Sequence, residues 1–141
     1  GAPPYYGDDV TWKSAEYLNY LGNEMNQNPE ISNPGYQTFR DIFSQEYGIM
    51  DKINYIRSIV QTFNHVYPQL YDVDLRESYS TLDVPVKFIV GKHDINAPKE
   101  LSDEYYNSLN APDKEWVWFE NSGHSHWINE SDRFIDEIKK M

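Results

Sequence analysis

Asp94 and His124 are the residues best fitted, by type and spacing, to do chemistry in this chain. A carboxylate beside an imidazole accepts the Nδ1 proton, fixes the tautomer, and stabilises the imidazolium formed when the ring takes up a proton. Asp94 closes the run Gly91-Lys92-His93-Asp94, and His124 lies thirty positions on, in Ser122-Gly123-His124-Ser125-His126. Acid followed by base is two-thirds of a catalytic triad. The same loops admit a rival use, a metal site from His93, Asp94, His124 and His126, since imidazole and carboxylate both ligate metals. Its weakness is spacing, with no His-x-x-x-His and no second carboxylate on either loop. His93 and His126 therefore read as structural or exposed, and His65 as a packing or surface residue. Lys92 and Asn96 are candidates for steadying the acid loop.

Groups of this kind need elements that bring them together. Val84 to Val90 is a short β-rich run ended by Gly91, and Glu115 to Phe119 is a second one. Between them, Leu101, Tyr105 and Leu109 recur at helical spacing, and Pro98 suits the first turn. A final helix carries Phe134, Ile135, Ile138 and Met141, with Asn129 or Ser131 as its cap. Strand, helix, strand, helix predicts a right-handed crossover and a parallel strand pair. Functional groups in such sheets gather past the carboxyl ends of the strands, where both loops fall.

The first half reads as three amphipathic helices. Trp12, Ala15, Leu18, Leu21 and Met25 form one stripe after a cap at Asp9 or Thr11. A loop rich in Asn and Pro runs from Asn26 to Gly35. Tyr36, Phe39, Phe43 and Tyr47 make a second stripe. Ile49, Ile53, Ile56, Val60, Phe63 and Tyr67 make a third, with Asp51 near its start and Pro68 as its stop. These stripes read as core more readily than as a ligand cage.

Composition bounds the partners. The 141 residues hold 12 Lys and Arg against 23 Asp and Glu, a net charge of −11 spread evenly along the chain. A phosphate-binding surface needs concentrated positive charge, so nucleic acid and anionic membranes are not expected partners. With no cysteine, disulfides, thiolate zinc sites and cysteine nucleophiles are excluded from this chain. The longest apolar run, Trp116 to Phe119, predicts no membrane insertion. The opening residues do not read as a secretory leader, and Gly1-Ala2-Pro3-Pro4 reads as the middle of a longer sequence. The compartment stays open, cytoplasmic before secreted.

The run Val84-Pro85-Val86-Lys87-Phe88-Ile89-Val90-Gly91-Lys92-His93-Asp94 resembles the penultimate strand and acid loop of α/β-hydrolases. Ala111-Pro112-Asp113-Lys114, leading into Trp118-Phe119-Glu120-Asn121-Ser122-Gly123-His124, is similar to their last strand and histidine loop. Within that superfamily the chain looks most like the proline-iminopeptidase-like serine hydrolases. Ala2-Pro3-Pro4-Tyr5 and the aromatic helices resemble, more loosely, their helical cap. The resemblance implies an α/β fold: a C-terminal fragment of an α/β-hydrolase, with a cap over 1–70 and a β-α-β-α segment with parallel strands over 71–141. It implies that Asp94 and His124 activate a serine, that no cofactor is needed, and that the substrate is a small ester or short peptide. The family also needs a Gly-x-Ser-x-Gly elbow, and none occurs here. The nucleophile is therefore expected from a missing N-terminal hydrolase half, and the chain alone is expected to be inactive. A parallel pair of strands is not stable uncovered, so the alternative expectation is a non-catalytic binding module that self-associates.

Overall fold

The computed structural model describes residues 10–35 and 37–141. The expectations placed on Ala2-Pro3-Pro4-Tyr5, Asp9 and Tyr36, and on the side chains of Thr11, Trp12 and Phe39, lie outside the described residues. The chain forms two compact units, one from residues 10–20 and 37–73, the other from 21–35 and 74–141. Helix α1 (Val10–Gln27) runs from the first into the second. Among the described residues no helix is long and apolar enough to cross a membrane.

The first unit is helical. Helix α3 (Ile49–Gln61) begins where Gly48 N–H donates to the Asp51 carboxylate at 3.0 Å, so Asp51 does sit at its start. Over Thr62–Val66 the backbone widens into a π turn, closed by Tyr67 N–H on the Thr62 carbonyl. Pro68 follows within a short 3₁₀ turn, Tyr67–Gln69. The proline ring cannot sit over an α-helical carbonyl four residues back, and the wider turn moves that carbonyl away. Helix α2 (Thr38–Ile42) is far shorter than the stripe to Tyr47 predicts. Ile42 and Phe63 are buried, but Phe43, Tyr47, Ile49, Ile53 and Ile56 are exposed. Helical spacing is present there without the burial that would make those residues core.

The second unit holds the sheet. Strands β1 (Val86–Gly91) and β2 (Lys114–Phe119) pair in parallel, in the register Val86↔Lys114 to Gly91↔Phe119. This agrees with the α/β reading and the parallel strand pair. An isolated parallel bridge, Thr81↔Asn110, precedes the pair. Helix α5 (Lys99–Ser108) covers one face, where Phe88 stacks on Trp116 at 5.8 Å and Tyr106 stands edge-on to both. Lys114 reaches back to the Tyr106 and Leu109 carbonyls, both at 2.7 Å, satisfying acceptors that the end of α5 leaves free. The other face carries the buried Val117 and Phe119, and the Phe119 ring lies 6.4 Å from that of Phe134 on helix α7 (Ser131–Ile138). Phe119 is fully buried, which contributes about 2–3 kcal/mol.

Two short helices escape the periodicity reading. Helix α4 (Leu75–Ser78) is a single turn capped by Asp74, whose side chain accepts from Arg76 N–H at 2.9 Å. Helix α6 (His126–Asn129) is another single turn, directly before α7. Neither Asn129 nor Ser131 takes the expected cap position of the final helix. Glu130 holds that position without a side-chain cap bond, while Asn129 ends α6 and Ser131 is the first residue of α7.

Candidate functional site

The register aligns Gly91 with Phe119, so both strands end at one level and their following loops leave side by side. Lys92 N–H donates to the Phe119 carbonyl and His93 N–H to the Ser122 carbonyl, each at 3.0 Å. Gly91 permits this approach. A Cβ there would lie 2.2 Å from the Gly123 carbonyl oxygen and 2.8 Å from that of Ser122, both rigid backbone atoms.

Across that seam Asp94 Oδ2 lies 2.8 Å from His124 Nδ1. The other carboxylate oxygen accepts the N–H groups of Asn96 at 2.8 Å and Ala97 at 3.0 Å, an Asx-type turn that locks the side chain. Asn96 thus steadies the acid loop, through its backbone. The Asp94 side chain is 9% exposed and that of His124 45%. Burial is the largest influence on Asp94 and pushes its carboxyl up, but the bonds from His124, Ala97 and Asn96 together hold it below its ordinary value. The bond to Asp94 lifts the His124 imidazole above its ordinary value and outweighs the opposing effect of burial. An ionised Asp94 makes Nδ1–H the donor, which leaves the lone pair on Nε2, the nitrogen that can take a proton from another group.

The histidine loop is held from behind by Glu130. Its Oε2 accepts the Ser122 hydroxyl at 2.6 Å and Asn121 N–H at 3.0 Å. Ser122 is fully buried and spent on this bond, so it is not an accessible nucleophile. On the rim, Lys92 pairs with Glu120 at 2.7 Å, both half exposed, a link of little energetic weight.

The remaining histidines have other surroundings. His93 Nδ1 lies 3.4 Å from Glu30 in a largely covered position. His126 packs its ring among Trp127, Phe119 and Phe134, at 5.2 to 5.6 Å. Its Nδ1 has no hydrogen-bond partner among the described residues. Burial first, and then the neighbouring charge of His124, push the His126 imidazole below its ordinary value. His65 is exposed. Among the described residues no three His, Asp or Glu side chains converge as a metal would require.

Asp94 and His124, selected by sequence spacing, thus stand in hydrogen-bond contact. Sequence spacing does not single out Glu130. Its only signal is a carboxylate one turn past the histidine loop, which also reads as a solvated surface charge.

Two curated proteins resemble the chain. It is 33% identical over 102 residues to the probable aminopeptidase YbaC of Bacillus subtilis (strain 168), a match covering 72% of this chain and 32% of that protein. It is 34% identical over 70 residues to the pimeloyl-[acyl-carrier protein] methyl ester esterase of Aliivibrio fischeri (strain MJ11), covering 50% of this chain and 26% of that one. No family model and no solved structure matches the chain. The chain therefore spans about a third or less of the length of the curated relatives it matches.

Proposed function

We propose that this chain contributes the acid and the base of a serine hydrolase of the α/β-hydrolase type. Asp94 orients His124, and the alcohol nucleophile comes from polypeptide outside these 141 residues. The observation that carries the reading is the 2.8 Å Asp94–His124 bond at the tips of two adjacent parallel strands. Support comes from the two relatives, whose names denote enzymes that hydrolyse an acyl bond.

In this mechanism His124 Nε2 takes the proton of the serine hydroxyl as the oxygen attacks the substrate carbonyl. The imidazolium is stabilised by Asp94 and returns the proton to the leaving amine or alcohol. Water, deprotonated by the same nitrogen, then attacks the acyl carbonyl, and the imidazolium returns that proton to the serine oxygen as the acid is released. No step calls for a cofactor. A short peptide losing its N-terminal residue is the favoured substrate class, because the longer match is to an aminopeptidase. A small ester is the runner-up.

The test has two arms. A fluorophosphonate probe is expected to leave the 141-residue chain unlabelled. Joining it to polypeptide carrying a Gly-x-Ser-x-Gly elbow is expected to give hydrolysis of an activated ester, and His124→Ala to lower that rate by on the order of 10³. Labelling of a serine in the chain alone, or full activity of the His124→Ala enzyme, refutes the proposal.

A second reading rests on helix α7 and its end, where Ile135, Ile138 and Met141 are all exposed. In that reading the chain is a self-associating module. Sedimentation showing a concentration-independent monomer refutes it.

A further inference from the structure

His124 is bracketed by one residue that the acid–base pair does not touch. Asn129 is 2% exposed, and a buried amide must satisfy both its ends. Its Oδ1 accepts the N–H of Gly123, the residue just before His124, at 3.1 Å. Its own backbone N–H donates to the carbonyl of Ser125, the residue just after, at 2.9 Å. The amide Nδ2 donates to the Asn33 carbonyl, and Asn33 Nδ2 answers with a 2.9 Å bond to the Asn129 carbonyl. Two asparagines 96 positions apart thus grip each other's backbone.

The segment carrying Asn33 has its own anchors on this side of the loop. Ser32 N–H donates to the Asn121 carbonyl at 3.0 Å, and Gly35 N–H to Asn26 Oδ1 at 2.8 Å. Gly35 lies so close to Ser125 that an added Cβ would be 3.0 Å from its side chain. Asn129 therefore bonds the Ser122–Gly123 and Ser125–His126 peptide units, each one residue removed from His124, and is itself bonded to Asn33.

We propose that Asn129 is a positioning residue for His124: its side-chain oxygen and backbone N–H hold Gly123 and Ser125, and so aim the imidazole at Asp94. Its value to catalysis rests on the hydrolase reading, but its effect on the ring is measurable without turnover.

The variants separate its bonds. Asn129→Ala removes the acceptor for Gly123 N–H and the donor to Asn33, leaving the backbone bond to Ser125. Asn129→Asp keeps the acceptor. Asn33→Ala removes only the bond to the Asn129 carbonyl. Gly123 amide exchange and the His124 imidazole titration, both followed by NMR, are the readouts; Asp94, bonded to the ring, and His126, which feels the His124 charge, are the titrating groups coupled to it. In Asn129→Ala, Gly123 exchange is expected to rise about tenfold, and His124 to titrate closer to an ordinary histidine. Asn129→Asp is expected to retain Gly123 protection, and Asn33→Ala to leave the His124 titration in place.

Unchanged exchange and titration in Asn129→Ala overturn the proposal. So does Asn33→Ala moving His124 as far as Asn129→Ala does, because the amide would then act only through general packing. Should Asn129→Ala not fold, the unmodified chain decides: a protected Gly123 amide supports the bracket, and one exchanging like an unbonded loop amide overturns it. Absence of hydrolysis from the joined enzyme sinks the function proposed above and leaves these outcomes untouched.

Discussion

Replacing Asp94 separates two roles that one carboxylate performs. Asp94→Ala removes the bond to His124 Nδ1 and the acceptor for the Asn96 and Ala97 amides. The two amide bonds contribute about 0.5–1 kcal/mol each. The ionic bond, with His124 45% exposed and screened by water, adds a similar amount. The whole substitution is thus expected to cost about 2 kcal/mol near neutral pH. Asp94→Asn retains an oxygen for the amides and is expected to cost about 1 kcal/mol. With a urea slope of about 2 kcal/mol/M, the midpoints fall by about 1 M and about 0.5 M.

The pH dependence identifies the ionic part. The raised imidazole of His124 contributes stability that is fully present below the ordinary value of 6.5 and is lost as pH rises through its folded value. The lowered carboxyl of Asp94 contributes stability present above 3.8 and lost as pH falls through its own folded value. The gap between the unmodified chain and Asp94→Asn is therefore widest at about pH 5 and narrows in both directions. Urea midpoints measured from about pH 3 to about pH 9 test this. A gap constant across that range would show that no ionic bond joins the two side chains, and the reasoning fails.

Three further substitutions follow from the surroundings of the pair. Gly91→Ala drives a methyl group into the Gly123 and Ser122 carbonyls, so a loss of about 1–3 kcal/mol by thermal unfolding is expected, with the His124 titration moving toward the ordinary value. Glu130→Ala strands the fully buried Ser122 hydroxyl and is expected to cost about 1–3 kcal/mol by urea unfolding. His126 is held below 6.5 in the fold, so its contribution is present above that pH and lost as pH falls. His126→Phe is accordingly expected to reduce the loss of stability between about pH 7 and about pH 5, read from urea midpoints.

The second half of the chain was legible because two signals agreed there. Val84 to Val90 and Glu115 to Phe119 are dense in β-branched and aromatic residues, and turn residues end each of them, so the observed strands start within two positions of the expectation. The Asp94–His124 contact followed from strand tips and residue type. Single-turn helices left no period to read, although Asp74 before α4 is a capping residue in plain view. Phe43 and Tyr47 misled because helical spacing reports a possible face, while the helix actually ends at Ile42. Asn129 was visible only as a cap candidate, since its partners Gly123 and Asn33 are distant in sequence or reached by a side-chain oxygen that spacing does not show.

Where Gly91 crosses the carbonyls of Ser122 and Gly123, main chain rests on main chain with no side chain between. Ordinary contacts adapt to substitution by small rotamer changes, but this one has none to make. In a saturation library, position 91 should therefore retain glycine alone, while the neighbouring exposed Lys92 accepts a broad set of residues. Drift in this sequence is free to rewrite the rim of the two loops, yet the spacing of the loops themselves is inherited as a fixed quantity.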